Sequence, residues 1–191
     1  EYAAIGLYRF EHSTNAINQD EDNLSKYLEG GGRLILELSG MEEVFGRTLD
    51  LLGVNVLRLS FPVKMRVRWA DELAHLPEAL PLDVVAPEGW SGAVYSGLDV
   101  VYGEVEFGDE WYPILGYKNV GKGRAWYIGL NLLYYAQLRG DEEIVSTIRD
   151  LTLENLAINQ DVRLVPVAYS DFEVDGRSLS FNTNLDQPLN R

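Results

Sequence analysis

Four consecutive residues, Asp109, Glu110, Trp111 and Tyr112, set two carboxylates directly beside two aromatic rings. That pairing suits a sugar, whose hydroxyls bond to carboxylates while its apolar face covers a ring. These four are the candidate ligand-binding residues. The same stretch also reads as a hairpin tip with a Trp folded back on the sheet, and the high average burial of Trp favours that reading. A second chemical candidate is Ser39, in Glu37-Leu38-Ser39-Gly40-Met41. It stands between a strand and a helix, as a nucleophile elbow does, but lacks the first glycine of G-x-S-x-G. Ser39 is more simply the N-cap of the following helix, with Glu42 and Glu43 in the first turn.

Composition bounds the remaining chemistry. The 191 residues include no Cys, which excludes disulfides, a thiolate nucleophile and Cys-ligated metal sites. His12 and His75 are the only histidines and share no metal-ligand spacing, and no D-x-[DN]-x-[DN]-G calcium loop occurs. No cofactor and no metal are expected. A net charge of −14 argues against nucleic acid and against docking on an anionic leaflet. Lys64, Arg66 and Arg68 project from one face of an alternating strand. They could meet an acidic partner or lipid headgroups, but nearby Asp and Glu favour a solvated, balanced face.

The elements that must position these residues alternate at first between strand and helix. A strand at Tyr2–Tyr8 precedes a helix from Asp20 to about Leu28, which Gly30-Gly31-Gly32 ends. A buried strand, Arg33–Leu38, follows. A helix then carries Met41, Val44, Phe45, Thr48, Leu49 and Leu52 on one apolar stripe, with Gly53 ending it. Val63–Trp69 alternates strictly, the mark of a half-exposed strand. Beyond Pro77, Pro81 and Pro87, short strands are expected at 93–102, 104–107 and 111–117, separated by Gly103 and by Gly108-Asp109-Glu110. They read as an antiparallel insertion or an edge on the sheet. Gly121-Lys122-Gly123-Arg124 turns into a strand at 125–129, and a helix from about Asp141 to Leu156 buries Ile144, Val145, Ile148, Leu151 and Thr152. Two more strands, 163–170 and 178–183, flank the turn dipeptide Asp175-Gly176. The expected division is an α/β domain over 1–158 and, over 159–191, the start of a truncated all-β domain.

Tyr27-Leu28-Glu29-Gly30-Gly31-Gly32-Arg33-Leu34-Ile35-Leu36 and Gly121-Lys122-Gly123-Arg124-Ala125-Trp126-Tyr127-Ile128-Gly129 resemble two segments of class I glutamine amidotransferase-like domains. Similar runs occur in the amidotransferase-like trimerisation domain of some bacterial β-galactosidases. The whole arrangement also resembles the C-terminal extramembrane region of prokaryotic membrane proteins related to 6-pyruvoyl-tetrahydropterin synthase. The resemblance implies a flavodoxin-like, parallel-core sheet flanked by helices, carrying the antiparallel β insertion and a short C-terminal β segment. It implies no activity. A glutaminase of this class needs a Cys and a late His-x-Glu, and Gly129-Leu130-Asn131-Leu132 supplies neither. The synthase binds zinc through three histidines, more than this chain has.

The expected function is therefore that of a non-catalytic domain in structural support or interaction. It would be a piece of a larger, membrane-anchored protein, since the chain opens at Glu1 and the resemblance places it on the extracytoplasmic face. Its partner would be the rest of its own polypeptide. The alternative is a carbohydrate-binding module for glycan or exopolysaccharide handling, and a hydrolase using Ser39 or a carboxylate ranks last.

Overall fold

The computed structural model describes residues 4–8, 21–38, 52–61, 64–81 and 90–154. The chain divides into Glu1–Leu156 and Ala157–Arg191, and the second unit lies outside the described residues. So do residues 41–51 of the expected helix 41–52, Ser39, His12 and the strands beyond 160.

The described elements are β1 (Ile5–Tyr8), α1 (Glu21–Glu29), β2 (Arg33–Glu37), β3 (Asn55–Phe61), β4 (Lys64–Trp69), a 3-10 turn (Asp71–Leu73), β5 (Ala79–Pro81), β6 (Trp90–Ser96), β7 (Val100–Phe107), β8 (Glu110–Val120), β9 (Gly123–Ile128), α2 (Leu132–Arg139) and α3 (Glu142–Thr152). Seven strands form one sheet in the order β1-β2-β9-β8-β7-β4-β5, and β3 pairs with β6 separately.

This architecture corrects the expected flavodoxin-like, helix-flanked parallel core. Among the described residues nine strands outweigh three α-helices, so the described fold is mostly β. Only β1, β2 and β9 run parallel, while β9-β8-β7-β4-β5 is antiparallel throughout. The physical reason lies in β9. It pairs in parallel with β2 on one side, from Arg33↔Arg124 to Glu37↔Ile128, and antiparallel with β8 on the other. The antiparallel strands therefore continue one mixed sheet as its edge, the alternative to an insertion, and are not a separate insertion. Two strand boundaries differ for related reasons. The expected strand 93–102 breaks at Gly97, whose φ of +88° turns the chain between β6 and β7. Gly103, expected as a break, lies inside β7.

Local chemistry accounts for the elements on either side of β2 and β9. The α1 helix closes with Gly31 N–H donating to Leu28 O and Gly32 N–H to Tyr27 O, and Gly31 has φ +103°. The Tyr27 hydroxyl both accepts from Arg33 N–H and donates to Arg33 O, each at 3.1 Å, which fixes helix to strand. The 121–123 turn docks on this cap backbone to backbone, Arg124 N–H donating to Gly32 O at 3.2 Å. The α3 helix is N-capped by the Asp141 carboxylate, which accepts from Ile144 N–H at 3.2 Å. Its buried face comprises Ile144, Ile148 and Thr152, with Leu151 partly buried. Val145, expected in that face, is 36% exposed.

Alternation along the strands feeds two cores. Leu34 and Leu36 of β2, with Ala125 and Tyr127 of β9, join Leu28, Val56, Ala93 and Tyr95 in one. Ile128, Leu115, Val105 and Val67 join Leu132, Tyr135, Ala136, Ile144 and Ile148 of the two C-terminal helices in the other. Burying each large side chain of this kind stabilises by roughly 1.5–3 kcal/mol.

Candidate functional site

The period of two along β8 separates the four candidate residues. Gly108 and Asp109 form a two-residue hairpin loop closed by the Phe107↔Glu110 pair, with Gly108 at φ +65° as primed hairpin turns require. Asp109 stands exposed at the loop. Glu110 and Tyr112 share one face, where the Tyr112 hydroxyl donates to the Glu110 carboxylate at 2.5 Å. That hydrogen bond, then desolvation and the Glu110 charge, raises the Tyr112 pKa. The Tyr112 ring meets Phe107 edge-on at 6.5 Å.

Trp111 points the opposite way. The Arg68 guanidinium lies 4.4 Å from its ring centroid and that of Arg66 lies 5.7 Å away. Arg66 pairs with Glu106 at 2.9 Å and Arg68 with Glu104 at 2.5 Å. The face therefore reads arginine, glutamate and tryptophan across β4, β7 and β8. The Glu104 hydrogen bond raises the already high Arg68 pKa further. Exposed pairs of this kind are worth about 0.2–1 kcal/mol, so they order the surface more than they stabilise the fold.

A second site lies where β7 bulges. Pairing runs Val101↔Gly116, then Gly103↔Leu115, then Glu104↔Pro113, so Tyr102 and Ile114 are each left without a direct opposite. A bulge bends its strand and re-aims a side chain. Here it leaves a cleft of about 210 Å³ lined by Arg68, Trp69, Ala70, Val101, Tyr102, Gly103 and Glu104. Tyr102 stacks on buried Trp126 with centroids 5.7 Å apart and planes at 27°. Desolvation, followed by Tyr117, Glu72 and Glu154, raises the Tyr102 pKa. Trp69 donates its indole N–H to Pro77 O at 2.9 Å and lies against Gly103, where an added Cβ would stand 2.5 Å from the ring.

A third feature closes the carboxyl ends of β2 and β9. Glu37 is 1% exposed and its carboxylate accepts from Leu133 N–H, at the start of α2, at 2.7 Å. Leu130 and Asn131 take successive left-handed conformations, φ 57° and 49°, a strain of roughly 1–2 kcal/mol per residue. Strand β6 holds that turn: Leu130 N–H donates to Ala93 O, Trp90 Nε1 donates to Leu130 O, and the Asn131 amide donates to Ser91 O. The sequence carries one signal for this role, a lone carboxylate inside the apolar run Leu34-Ile35-Leu36-Glu37-Leu38.

His75 lies exposed, 3.2 Å from the Thr147 hydroxyl. Among the described residues no group of three or more His, Asp or Glu side chains gathers closely enough to hold a metal ion. Among them, too, no helix is long and apolar enough to cross a membrane, which says nothing of β-barrels.

No protein-family model and no curated protein matches this sequence. Among solved structures, the fold resembles Cytoplasmic Protein STM1381 from Salmonella typhimurium LT2, with TM-score 0.52 and 13% identity over 78% of this chain and 71% of that one. At that identity the likeness shows a shared fold and nothing of activity. A β-galactosidase from Bacillus circulans sp. alkalophilus aligns with TM-score 0.35 and 11% identity over 72% of this chain and 22% of that one, too loosely to carry an argument.

Proposed function

We propose that this chain is a non-catalytic structural or interaction domain of a larger, membrane-anchored prokaryotic protein, presented on the extracytoplasmic face. One observation carries the interaction reading: Trp111 is set between Arg66 and Arg68, and both arginines are held by glutamates of the next strand. Trp and Arg are the residue types that dominate binding hot spots, and side chains already ordered lose less entropy on binding. The membrane setting rests on the sequence resemblance to membrane-protein extramembrane regions. Photo-crosslinking from position 111 of the full-length protein in its native membrane tests both parts. A discrete adduct, formed from outside the cytoplasm and lost on Arg68→Glu, is the expected result. Adducts no different from those at exposed Glu142 would refute the interaction surface, and release of the protein without detergent would refute the membrane setting.

Carbohydrate binding is the second reading, favoured by the aromatic and polar lining of the β7 cleft. A glycan array with the full-length protein checks it, and binding at background level throughout would remove it.

A further inference from the structure

We infer that Arg124, together with the Tyr102 and Tyr117 hydroxyls, forms a binding site for a small monocarboxylate. The site goes beyond the interaction reading and shares no residue with the Trp111 surface, so either can fail alone. Register sets the geometry. Tyr117↔Trp126 and Asn119↔Arg124 are partners across β8 and β9, so Tyr117, Arg124 and Trp126 lie on one face of the sheet. Tyr102 reaches that face from β7. Its ring stacks on Trp126 and stands 6.3 Å from the Tyr117 ring, which meets Trp126 edge-on at 4.9 Å. Tyr102, Tyr117 and Arg124 are each half-buried, so a ligand reaches them from solvent.

Two arginines stand near the start of β2 and β9, and they differ in what holds them. Arg33 and Arg124 are partners across the parallel pair, where like charges repel; after desolvation, Arg124 is the next cause that lowers the Arg33 pKa. Arg33 is committed, since its Nη1 donates to Thr152 O and Glu154 O, each at 2.7 Å, at the end of α3. Arg124 has the Tyr117 ring, whose centroid lies 4.6 Å from its guanidinium. Among the described residues no carboxylate pairs with it, so its fork of N–H donors is open to an acceptor. A carboxylate matches that fork with two parallel hydrogen bonds.

The neighbours of Arg124 add further donors. Desolvation, followed by Tyr117, Glu72 and Glu154, raises the Tyr102 pKa, so its hydroxyl keeps the proton it would donate. Trp126 is 1% exposed, and its indole N–H has no acceptor among the described residues. A buried donor left unmet is costly, and an acceptor oxygen seated among these rings relieves it. Charge sets the ligand at one negative unit. Glu72 and Glu154 both act on Tyr102, and Glu154 also acts on Arg33. A dianion would meet two carboxylates for one open guanidinium, whereas a monocarboxylate is balanced by Arg124 alone.

NMR titration of the full chain with acetate, benzoate, inorganic phosphate and chloride, at constant ionic strength and neutral pH, tests the assignment. Acetate or benzoate should shift the Trp126 indole N–H and the Arg124 Nε–H signals saturably, with phosphate and chloride binding at least tenfold more weakly. Arg124→Gln should weaken the carboxylate at least tenfold, and Arg124→Lys should recover little, because an ammonium lacks the planar fork. Tyr102→Phe keeps the ring stack and removes the hydroxyl, so it should weaken binding severalfold; it decides the matter if neither Arg124 variant folds. Equal shifts with chloride, tighter binding of phosphate, or carboxylate binding unchanged in the variants would overturn the site. So would the absence of any saturable shift.

Discussion

Gly123 opens β9 where two backbone turns meet, and a methyl group there has nowhere to go. A Cβ at position 123 would press into both Gly32 O and Leu28 O, with Leu28 C at 3.0 Å. Every one of these neighbours is backbone, so no side-chain rotamer change relieves the contact. The α1 cap and the start of β9 would have to separate, stretching the Arg124 N–H to Gly32 O bond of 3.2 Å. Overpacking a close-packed site costs about 1–3 kcal/mol. A chain of this size loses roughly 2–4 °C of Tm per kcal/mol, so Gly123→Ala should lower Tm by about 2–12 °C. Gly140 separates this mechanism from simple backbone strain. It has φ +65° at the end of α2, and a methyl group added there would meet nothing within 4 Å. There Gly140→Ala should cost about 1–2 kcal/mol from the left-handed conformation alone, and Gly140→Asn should recover part of it. At position 123 Asn should be no better than Ala, because space and not φ is limiting. Urea or thermal denaturation of the four variants measures this. Gly123→Ala within 0.5 kcal/mol of wild type, or Gly123→Asn more stable than Gly123→Ala, would refute the reasoning.

Three further outcomes follow from the same structure. Asp141→Ala removes the cap of α3 and should cost about 1 kcal/mol by denaturant titration, with Asp141→Ser largely preserving stability. Desolvation raises the Tyr127 pKa well above the ordinary phenol value, so the folded state holds a proton that the unfolded chain releases. Stability is then complete below pH ~10 and declines above it, by up to about 1.4 kcal/mol per pH unit; Tyr127→Phe should reduce that alkaline slope in pH-dependent unfolding. A double-mutant cycle on Arg68 and Glu104, read at low and high salt, should give a stability coupling of no more than about 1 kcal/mol that shrinks with salt.

Legibility in the sequence divided along the line between local and long-range information. The α1 stop at Gly30–Gly32, the β7–β8 turn and the α3 first turn were readable because each is set within a few residues. Strand β3 was not: its Leu57 is 41% exposed and Leu59 half-buried, so apolar residues on both faces hide the period of two. The proportion of parallel to antiparallel sheet was equally hidden. Short apolar runs such as Leu34–Leu36 announce a buried strand, but which strand lies beside it is decided by β9, some ninety positions later.

The candidate site shows the same limit in a sharper form. Adjacency in sequence suggested that Glu110, Trp111 and Tyr112 act together, yet in a strand adjacency is what places side chains on opposite faces. The groups that do meet are far apart in sequence: Arg68 of β4, Glu104 of β7 and Trp111 of β8 gather on one face, and Trp69 lies against Gly103 on the other. One sequence signal pointed there. A glycine inside an otherwise apolar and β-branched run, Val100-Val101-Tyr102-Gly103, marks a bulge or a close approach more often than a strand break. Here it marks both, since the bulge turns Tyr102 out of register and the missing Cβ admits the Trp69 ring. At this irregular point of the sheet Trp69 closes on β7, on the face opposite the Arg68–Glu104 pair.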